Sequence, residues 1–470
     1  MKLHNTLTGT DDEFTPLEQG KVKLYTCGLT VYSQPHVGNW LGYIYWDVLV
    51  RLLKYDGYDV TRTQNITDVG HLVSDDDSGE DKMEKGARNE GVTAWDVAKK
   101  YSDIAEYEAY GLLGLLRPDH LVAATDYIEQ QIAFAQNLDD LGFLYKIEND
   151  GMYFDTSKLR DYGKLAHLDI AGLKAGARVK VEGKKRPTDF AVWKFSPTDV
   201  KRDMEWDSPW GTGFPGWHLE CSVIARETLG DQIDIHTGGI DHIPVHHTNE
   251  IAQTESVTGI PFSQMWLHNN HIKVDGQKIS KSIGNIYTLA DIQSRGYEIM
   301  AFKMMALSKH YRTEGNFTWE ILEANQNRYD NWKNAAALRH QIHETIKDDD
   351  EKQHSLRATP HAVVEALNND LDTPAALRII DEAFSTLDHV SVDEIDRHSL
   401  VTLLETIDEL LGLELLRHSP DISDDAKQLI VERERARDDK DWQKSDSLRD
   451  ELNSLGVNIL DTPSGTVWRY

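Results

Sequence analysis

The sequence predicts an α/β protein: a nucleotide-binding core of parallel strands and covering helices, followed by a mainly helical region. Three observations lead there. Buried-strand and helical patterns alternate near the start of the chain, they alternate again around residues 216–274, and from about residue 320 the pattern is mainly helical.

KVKLYTCG (21–28) has the apolar density of a buried strand, and VGNWLGYIYWDVLVRLLKYDG (37–57) has helical spacing. YDVTRTQNITD then reads as extended, completing a strand, helix, strand unit. Downstream, GWHLECSVIARETLG reads as helix, DQIDIHTGG as strand, VHHTNEIAQTESVTG as helix and FSQMWLHNNHIKV as strand. Mixed sequence between about 120 and 205, including KAGARVKVEGKKRP, reads as an insertion between two halves of one core.

The 470 residues, 40% of them hydrophobic, suffice for several cores. A formal charge of -29, from 79 acidic against 50 basic residues, disfavours a protein that coats nucleic acid through a uniformly basic surface. SDDDSGED (74–81) and KDDDEK (347–352) read as solvated loops, because like charges repel and extend the chain. No apolar run reaches the roughly 18 residues of a membrane helix. The polar start MKLHNTLTGTDDEF lacks a charged-then-apolar leader, so a cytoplasmic, reduced protein is expected.

Only two cysteines occur, Cys27 and Cys221. Reduced cysteines this scarce are either inert and buried or metal ligands. His246 and Glu250, four apart on an expected helix, share one face. By itself that spacing also describes an ordinary solvated helix start. Two thiolates, an imidazole and a carboxylate would make a four-coordinate zinc site. In an open parallel sheet, ligands bind beyond the carboxyl ends of the strands. Cys27 ends the first strand, Cys221 lies in the helix entering the second half, and His246 and Glu250 open the helix after DIHTGG, so all four can converge on one cleft.

Two stretches suit phosphate. PHVGN (35–39) stands where a loop becomes a helix, whose free N–H groups and dipole favour anions. His36 and Asn39 can donate to phosphate oxygens there, and Gly38 lets a flat base approach. KISKS (278–282) carries Lys278 and Lys281 in a loop able to neutralise charge on a phosphate during transfer. Each pattern alone is weak.

In this order the pieces resemble the class I aminoacyl-tRNA synthetases, and within them the cysteinyl-tRNA synthetase family. PHVGN is similar to the family's HIGH signature and KISKS to its KMSKS signature. YTCGLTVYSQPHVGN, GARVKVEGKKRPTDFAVWK, SPWGTGFPGWHLECS, HTGGIDHIPVHHTNEIAQ and DKDWQKSDSLRDELNSLGVNILDTPSGTVWRY carry the likeness to the end of the chain. Three positions depart from the pattern. Asn39 replaces the second signature histidine, KISKS retains both lysines, and Thr248 replaces a carboxylate without touching the inferred ligands. His242 is an additional histidine beside the site, expected not to be a ligand.

The resemblance implies a Rossmann-like catalytic core in two halves (1–120 and 206–290), a connective insertion (121–205), a stem-contact region (291–344), a helical bundle (345–415) and an anticodon module (416–470). It implies a cysteine-tRNA ligase that forms cysteinyl-adenylate and transfers the cysteinyl group to tRNA(Cys), with one Zn²⁺ per chain, Mg²⁺ with ATP, and a monomer as the working form. His36, Gly38, Asn39, Gly239 and Lys281 would bind ATP, with Lys278 assisting. Gly28, Thr67 and Asp241 would surround the amino group of L-cysteine. Trp217 would wall the side-chain pocket, although a core aromatic gives the same pattern. Arg437, Trp442, Asp446 and Asp461 would read the anticodon by stacking and edge hydrogen bonds. Lys174, Arg178, Lys180, Lys184, Lys185 and Arg186 would form a basic patch for the acceptor end. The zinc quartet and both phosphate stretches disfavour a binding-only paralogue and a small-molecule nucleotidyltransferase. The C-terminal module disfavours a ligase joining cysteine to an amino sugar.

Overall fold

A hairpin of β1 (Lys2–Asn5) and β2 (Thr10–Glu13) precedes β3 (Lys21–Thr26), whose Val22, Leu24 and Tyr25 are buried. The protein is described by a computed structural model covering residues 1–70, 81–167, 183–197, 201–280, 282–342, 354–387, 390–462 and 465–470. The acidic stretch at 74–80, the segment KDDDEK, Lys174, Arg178, Lys180 and Lys281 lie outside the described residues.

After β3 come α1 (Val37–Tyr55) and β4 (Asp59–Ile66), the expected strand, helix, strand unit. Next are α2 (Lys82–Glu90), α3 (Ala94–Glu106), β5 (His120–Ala123) and α4 (Ile128–Asp140). Four antiparallel strands form a separate sheet, three from the insertion and the last from the start of the second half: β6 (Leu144–Ile147), β7 (Gly151–Phe154), β8 (Phe190–Phe195) and β9 (Gly213–Pro215). The second half supplies α5 (Trp217–Leu229), β10 (Ile233–Gly239), α6 (His246–Thr258) and β11 (Ser263–Asn269).

The main sheet has the order β11-β10-β3-β4-β5, and every neighbouring pair is parallel. β3 and β10 lie side by side, and the chain leaves them in opposite directions, to β4 and to β11. This reversal opens a crevice beyond their carboxyl ends, the usual ligand position in such sheets. β10 is buried on both faces, as a central parallel strand should be. Its Asp234 is tolerated inside because its carboxylate accepts from Leu17 N–H at 2.6 Å and Lys23 N–H at 2.7 Å.

Two compact units divide the chain: Met1–Leu289 with Tyr311–Asn316, and Ala290–His310 with Phe317–Tyr470. In the first, β12 (Ile272–Val274) pairs with β13 (Gly315–Phe317). The second is built of α7 (Leu289–Ser294), α8 (Ile299–Leu307), α9 (Trp319–Ala337), α10 (His354–Asn368), α11 (Thr373–Leu387) and α12 (Arg397–Leu411). It closes with α13 (Leu415–His418), α14 (Asp424–Asp438), α15 (Trp442–Ser454) and the hairpin of β14 (Asn458–Thr462) and β15 (Gly465–Arg469). Trp468 and Leu452 pack with Ala337 from α9, and Trp468 exchanges backbone hydrogen bonds with the Gln341 side chain at 2.9 and 3.1 Å. The terminal module is thus seated on the end of α9.

α1 buries residues around most of its circumference, among them Trp40, Ile44, Val48, Leu49 and Leu52. Asp47 is its buried polar exception: one oxygen accepts from Arg51 Nε at 2.7 Å, the other from Leu116 N–H at 2.7 Å. Asp47→Ala deprives the Leu116 amide of its acceptor and Arg51 of a carboxylate. A loss of about 3 kcal/mol is expected, read as a lower urea midpoint with an unchanged slope.

Candidate active site

The crevice holds a buried cluster of sulfur, nitrogen and oxygen ligands. Cys27 follows β3 directly, and its carbonyl accepts from Tyr43 OH at 3.0 Å. Its Sγ lies 3.9 Å from Cys221 Sγ on α5 and 3.9 Å from Glu250 Oε1 on α6. His246 Nε2, one helical turn before Glu250, is 3.1 Å from the same oxygen. All four residues are buried, and one ligand atom from each lies within 4.8 Å of every other. Zinc bonds to sulfur of about 2.3 Å, placed tetrahedrally, call for sulfurs about 3.8 Å apart. The cysteine pair meets that spacing, and the mixture of thiol, imidazole and carboxylate donors is one that zinc accepts.

A second quartet overlaps the first. Cys27 and Glu250 also converge with His236 and His247. Here His236 Nε2 is 2.8 Å from Glu250 Oε2, and His247 Nε2 is 3.3 Å from Cys27 Sγ. The histidine array continues from His247 Nδ1 to His268 Nε2 at 2.8 Å and from His268 Nδ1 to Thr6 Oγ1 at 2.7 Å. His218 Nδ1 meets His246 Nδ1 at 2.9 Å. The two-cysteine set offers the softer donors that suit zinc. In that arrangement His236 occupies the other oxygen of Glu250 and orients it, as outer hydrogen bonds commonly orient metal ligands.

Electrostatics among the cluster's own groups are asymmetric. Burial opposes ionisation of Cys27, yet the Cys221 thiol and the nearby His247, His242 and His246 hold it well below the usual thiol range. Burial and the charge on Cys27 push Cys221 well above that range. Burial would lower His242, but its hydrogen bond and attraction to Cys27 hold it up at about 9. His242 therefore neighbours Cys27 electrostatically and belongs to neither quartet.

The other expected substrate contacts surround this cluster. A Cβ on Gly28 would fall 1.5 Å from Asn65 O, so only glycine fits. Gly28 N–H donates to Asn65 Oδ1 at 2.7 Å, and Asn65 Nδ2 donates to the buried Thr67 Oγ1 at 3.0 Å. Trp217 stacks on His246 with ring centroids 4.3 Å apart and 27° between planes. Asp241 is exposed in the short turn after β10, and a Cβ on Gly239 would lie 2.4 Å from its Oδ1. Sequence reasoning overlooked His218, His236, His247, His268 and Glu220. The HH doublet and the alternation in DIHTGG are the signals that could have found two of them.

The two phosphate stretches meet. His36 caps α1: its Nδ1 accepts from Gly38 N–H at 3.1 Å, and its own N–H donates to Asn39 Oδ1 at 2.9 Å. A Cβ on Gly38 would lie 2.8 Å from Ile279 Cδ1 of the KISKS loop. Asn285 braces that loop, accepting from Ser280 N–H at 2.8 Å and donating to Lys278 O at 3.1 Å. Lys278 itself is exposed.

In the terminal module Trp442 is the first residue of α15 and 58% exposed, and Asp446 is exposed one turn later. Asp461 accepts a bidentate pair from Arg433 at 2.8 Å each, and single bonds from Arg437 at 2.6 Å and Arg449 at 3.0 Å. These guanidinium contacts, Arg433 foremost, hold its carboxyl down at about 2. Of the expected basic patch, Lys185 is 3.2 Å from Asp155 and sits over the Tyr145 ring. Among the described residues no helix is long and apolar enough to cross a membrane.

Residues 13–327 match the model of the class I (C) tRNA synthetase catalytic domain, and residues 419–469 that of the cysteinyl-tRNA ligase anticodon binding domain. The chain is 43% identical to cysteine-tRNA ligase 1 of Burkholderia lata, over 99% of this chain and 96% of that protein. It is 36% identical to the cysteine-tRNA ligase of Treponema denticola, over 100% of this chain and 99% of that one. Methionyl-tRNA synthetase of Mycobacterium tuberculosis with methionyl-adenylate shares the fold at a TM-score of 0.60 and 15% identity, covering 84% of this chain and 91% of that one. A leucyl enzyme of Agrobacterium radiobacter, solved with tRNA, gives 0.62 at 12% identity, covering 87% and 86%. Signature stretches, crevice and full-length kinship agree, and the chain belongs to the class I aminoacyl-tRNA synthetases as a member of the cysteine-tRNA ligase family.

Proposed function

We propose that this enzyme activates L-cysteine with ATP to cysteinyl-adenylate and transfers the cysteinyl group to the 3' end of tRNA(Cys), selecting its amino acid through a zinc-bound thiolate. The observation that carries the reading is the buried convergence of Cys27, Cys221, His246 and Glu250 beyond the ends of β3 and β10. These four would hold the ion. When bound, zinc supplies a position where a thiol is held deprotonated. Serine offers no comparable thiolate, and discrimination of roughly 10⁴-fold is within reach of a site that leaves the wrong substrate's partner unmatched.

This chain's other residues would orient the substrates. Trp217, stacked on His246, walls the side-chain pocket, while Gly28, Thr67 and Asp241 receive the ammonium group. The carboxylate oxygen of cysteine attacks the α-phosphorus of ATP, and pyrophosphate departs. The start of α1 would receive the phosphates through His36, Gly38 and Asn39, with Gly239 approaching the nucleotide. Lys281, helped by Lys278, would stabilise charge on the phosphoryl group and the leaving pyrophosphate, with Mg²⁺ sharing that charge. Arg437, Trp442, Asp446 and Asp461 would form the anticodon face, and Lys184, Lys185 and Arg186 would meet the acceptor end. The working form is a cytoplasmic monomer. The match of residues 419–469 to an anticodon binding domain supports tRNA over an amino sugar as cysteinyl acceptor.

Zinc removal should leave the fold intact by circular dichroism and abolish selective cysteine binding in equilibrium dialysis. Tight binding that still rejects serine in the metal-free protein would refute the zinc role. Lys281→Ala should leave folding unchanged and slow cysteine-dependent ATP-pyrophosphate exchange by about 10²-fold, the scale of one lost transition-state charge donor; normal exchange would make it a surface lysine. Because the terminal module is seated on α9, a point change tests it better than truncation. Trp442→Ala should spare pyrophosphate exchange and raise KM for tRNA about tenfold, as loss of one base stack implies.

A further inference from the structure

Glu220 stands one residue before Cys221 and is almost fully buried. On α5, successive side chains diverge by about 100°. Cys221 therefore points to the ligand cluster while Glu220 turns to the end of β4, where Thr67 Oγ1 donates to its Oε1 at 2.8 Å. Thr67 Oγ1 also accepts from Asn65 Nδ2 at 3.0 Å, and Asn65 is oriented in turn by the Gly28 N–H on its Oδ1 at 2.7 Å. Every member of this relay is oriented in one sense. A threonine hydroxyl has one proton and two lone pairs. Its proton is committed to Glu220 and one lone pair to Asn65, which leaves a single acceptor position.

We propose that Glu220 is a positioning residue for the ammonium group of the amino-acid substrate: by accepting the hydrogen bond of the Thr67 hydroxyl, it leaves Thr67 Oγ1 an acceptor toward the site. An ammonium group can only donate, so a hydroxyl whose proton is already engaged meets it with a lone pair and needs no reorientation. Glu220 Oε2 is buried with no hydrogen-bond partner among the described residues. A carboxyl kept only for packing ordinarily has both oxygens satisfied. α5 thus carries adjacent residues serving the two ends of cysteine, Cys221 for the sulfur and Glu220 for the nitrogen. The inference rests on Thr67 being an ammonium contact, as proposed above.

The test uses zinc-loaded full-length enzyme, three single variants and one double variant. Glu220→Met keeps the length of the side chain and removes the acceptor; Glu220→Leu replaces it if the protein is insoluble. KM for cysteine in pyrophosphate exchange should rise about tenfold, with KM for ATP and zinc content unchanged. Glu220→Gln retains an acceptor oxygen and should recover most of the loss. Thr67→Val should raise KM by a similar factor, and adding Glu220→Met to it should cost less than a further twofold. Equal loss in the Gln and Met variants, loss of zinc, or effects of Thr67 and Glu220 that multiply would overturn the role of Glu220. An unchanged KM for cysteine in Thr67→Val would instead overturn the assignment of Thr67 to the ammonium group.

Discussion

Two thiols, a carboxylate and several imidazoles share one buried space in the catalytic domain, and their mutual compensation is the constraint around which that domain is arranged. An isolated buried carboxylate is very costly. Glu250 is accommodated because His236 and His246 meet its two oxygens, while Cys27 lies against both His247 and Cys221. A divalent cation in the midst of these donors would replace weak mutual contacts with direct bonds. The cluster is therefore compatible with a stable fold and also poised for a metal.

That constraint explains the unusual polarity of α6. His246 through Thr254 are buried although most of them are polar. Each needs an internal partner, and the surroundings supply several: Tyr162 OH donates to Asn249 Oδ1 at 2.7 Å, Ser222 Oγ donates to Gln253 Oε1 at 2.8 Å, and Thr248 Oγ1 donates to Ile243 O at 2.7 Å. Backbone closeness is the companion requirement. At Gly28 and Gly238 an added Cβ would fall within 3 Å of Asn65 O and of the His247 ring respectively, so the crevice walls are glycine by geometry.

The α/β core was legible because β3, α1, β4 and the second-half strands carry strong apolar periodicity. The convergence of Cys27, Cys221, His246 and Glu250 was legible because two cysteines in a long chain are conspicuous and topology brings strand ends together. The histidine array was not, since hydropathy cannot distinguish a polar helix that is buried from one that is solvated; HHTNE has the composition of an exposed helix start. Glu220 was hidden for the same reason, as a charged residue inside an otherwise ordinary amphipathic pattern. The arginine contacts of Asp461 join residues 433, 437 and 449 across two helices and a hairpin, and no local spacing announces them.

The bond between Tyr162 and Asn249 links the insertion to α6, and it is reinforced by apolar packing. Phe190 of β8 packs with Leu219, Val223 and Ala252, drawn from α5 and α6. The insertion consequently packs in the same compact unit as α5 and α6. Protection of α6 amides against hydrogen exchange then depends on a sheet that interrupts the core in sequence but completes it in space. Loss of that sheet would bare Leu219, Val223 and Ala252 to water and take Tyr162 from Asn249, so a segment that interrupts the core is also what covers it.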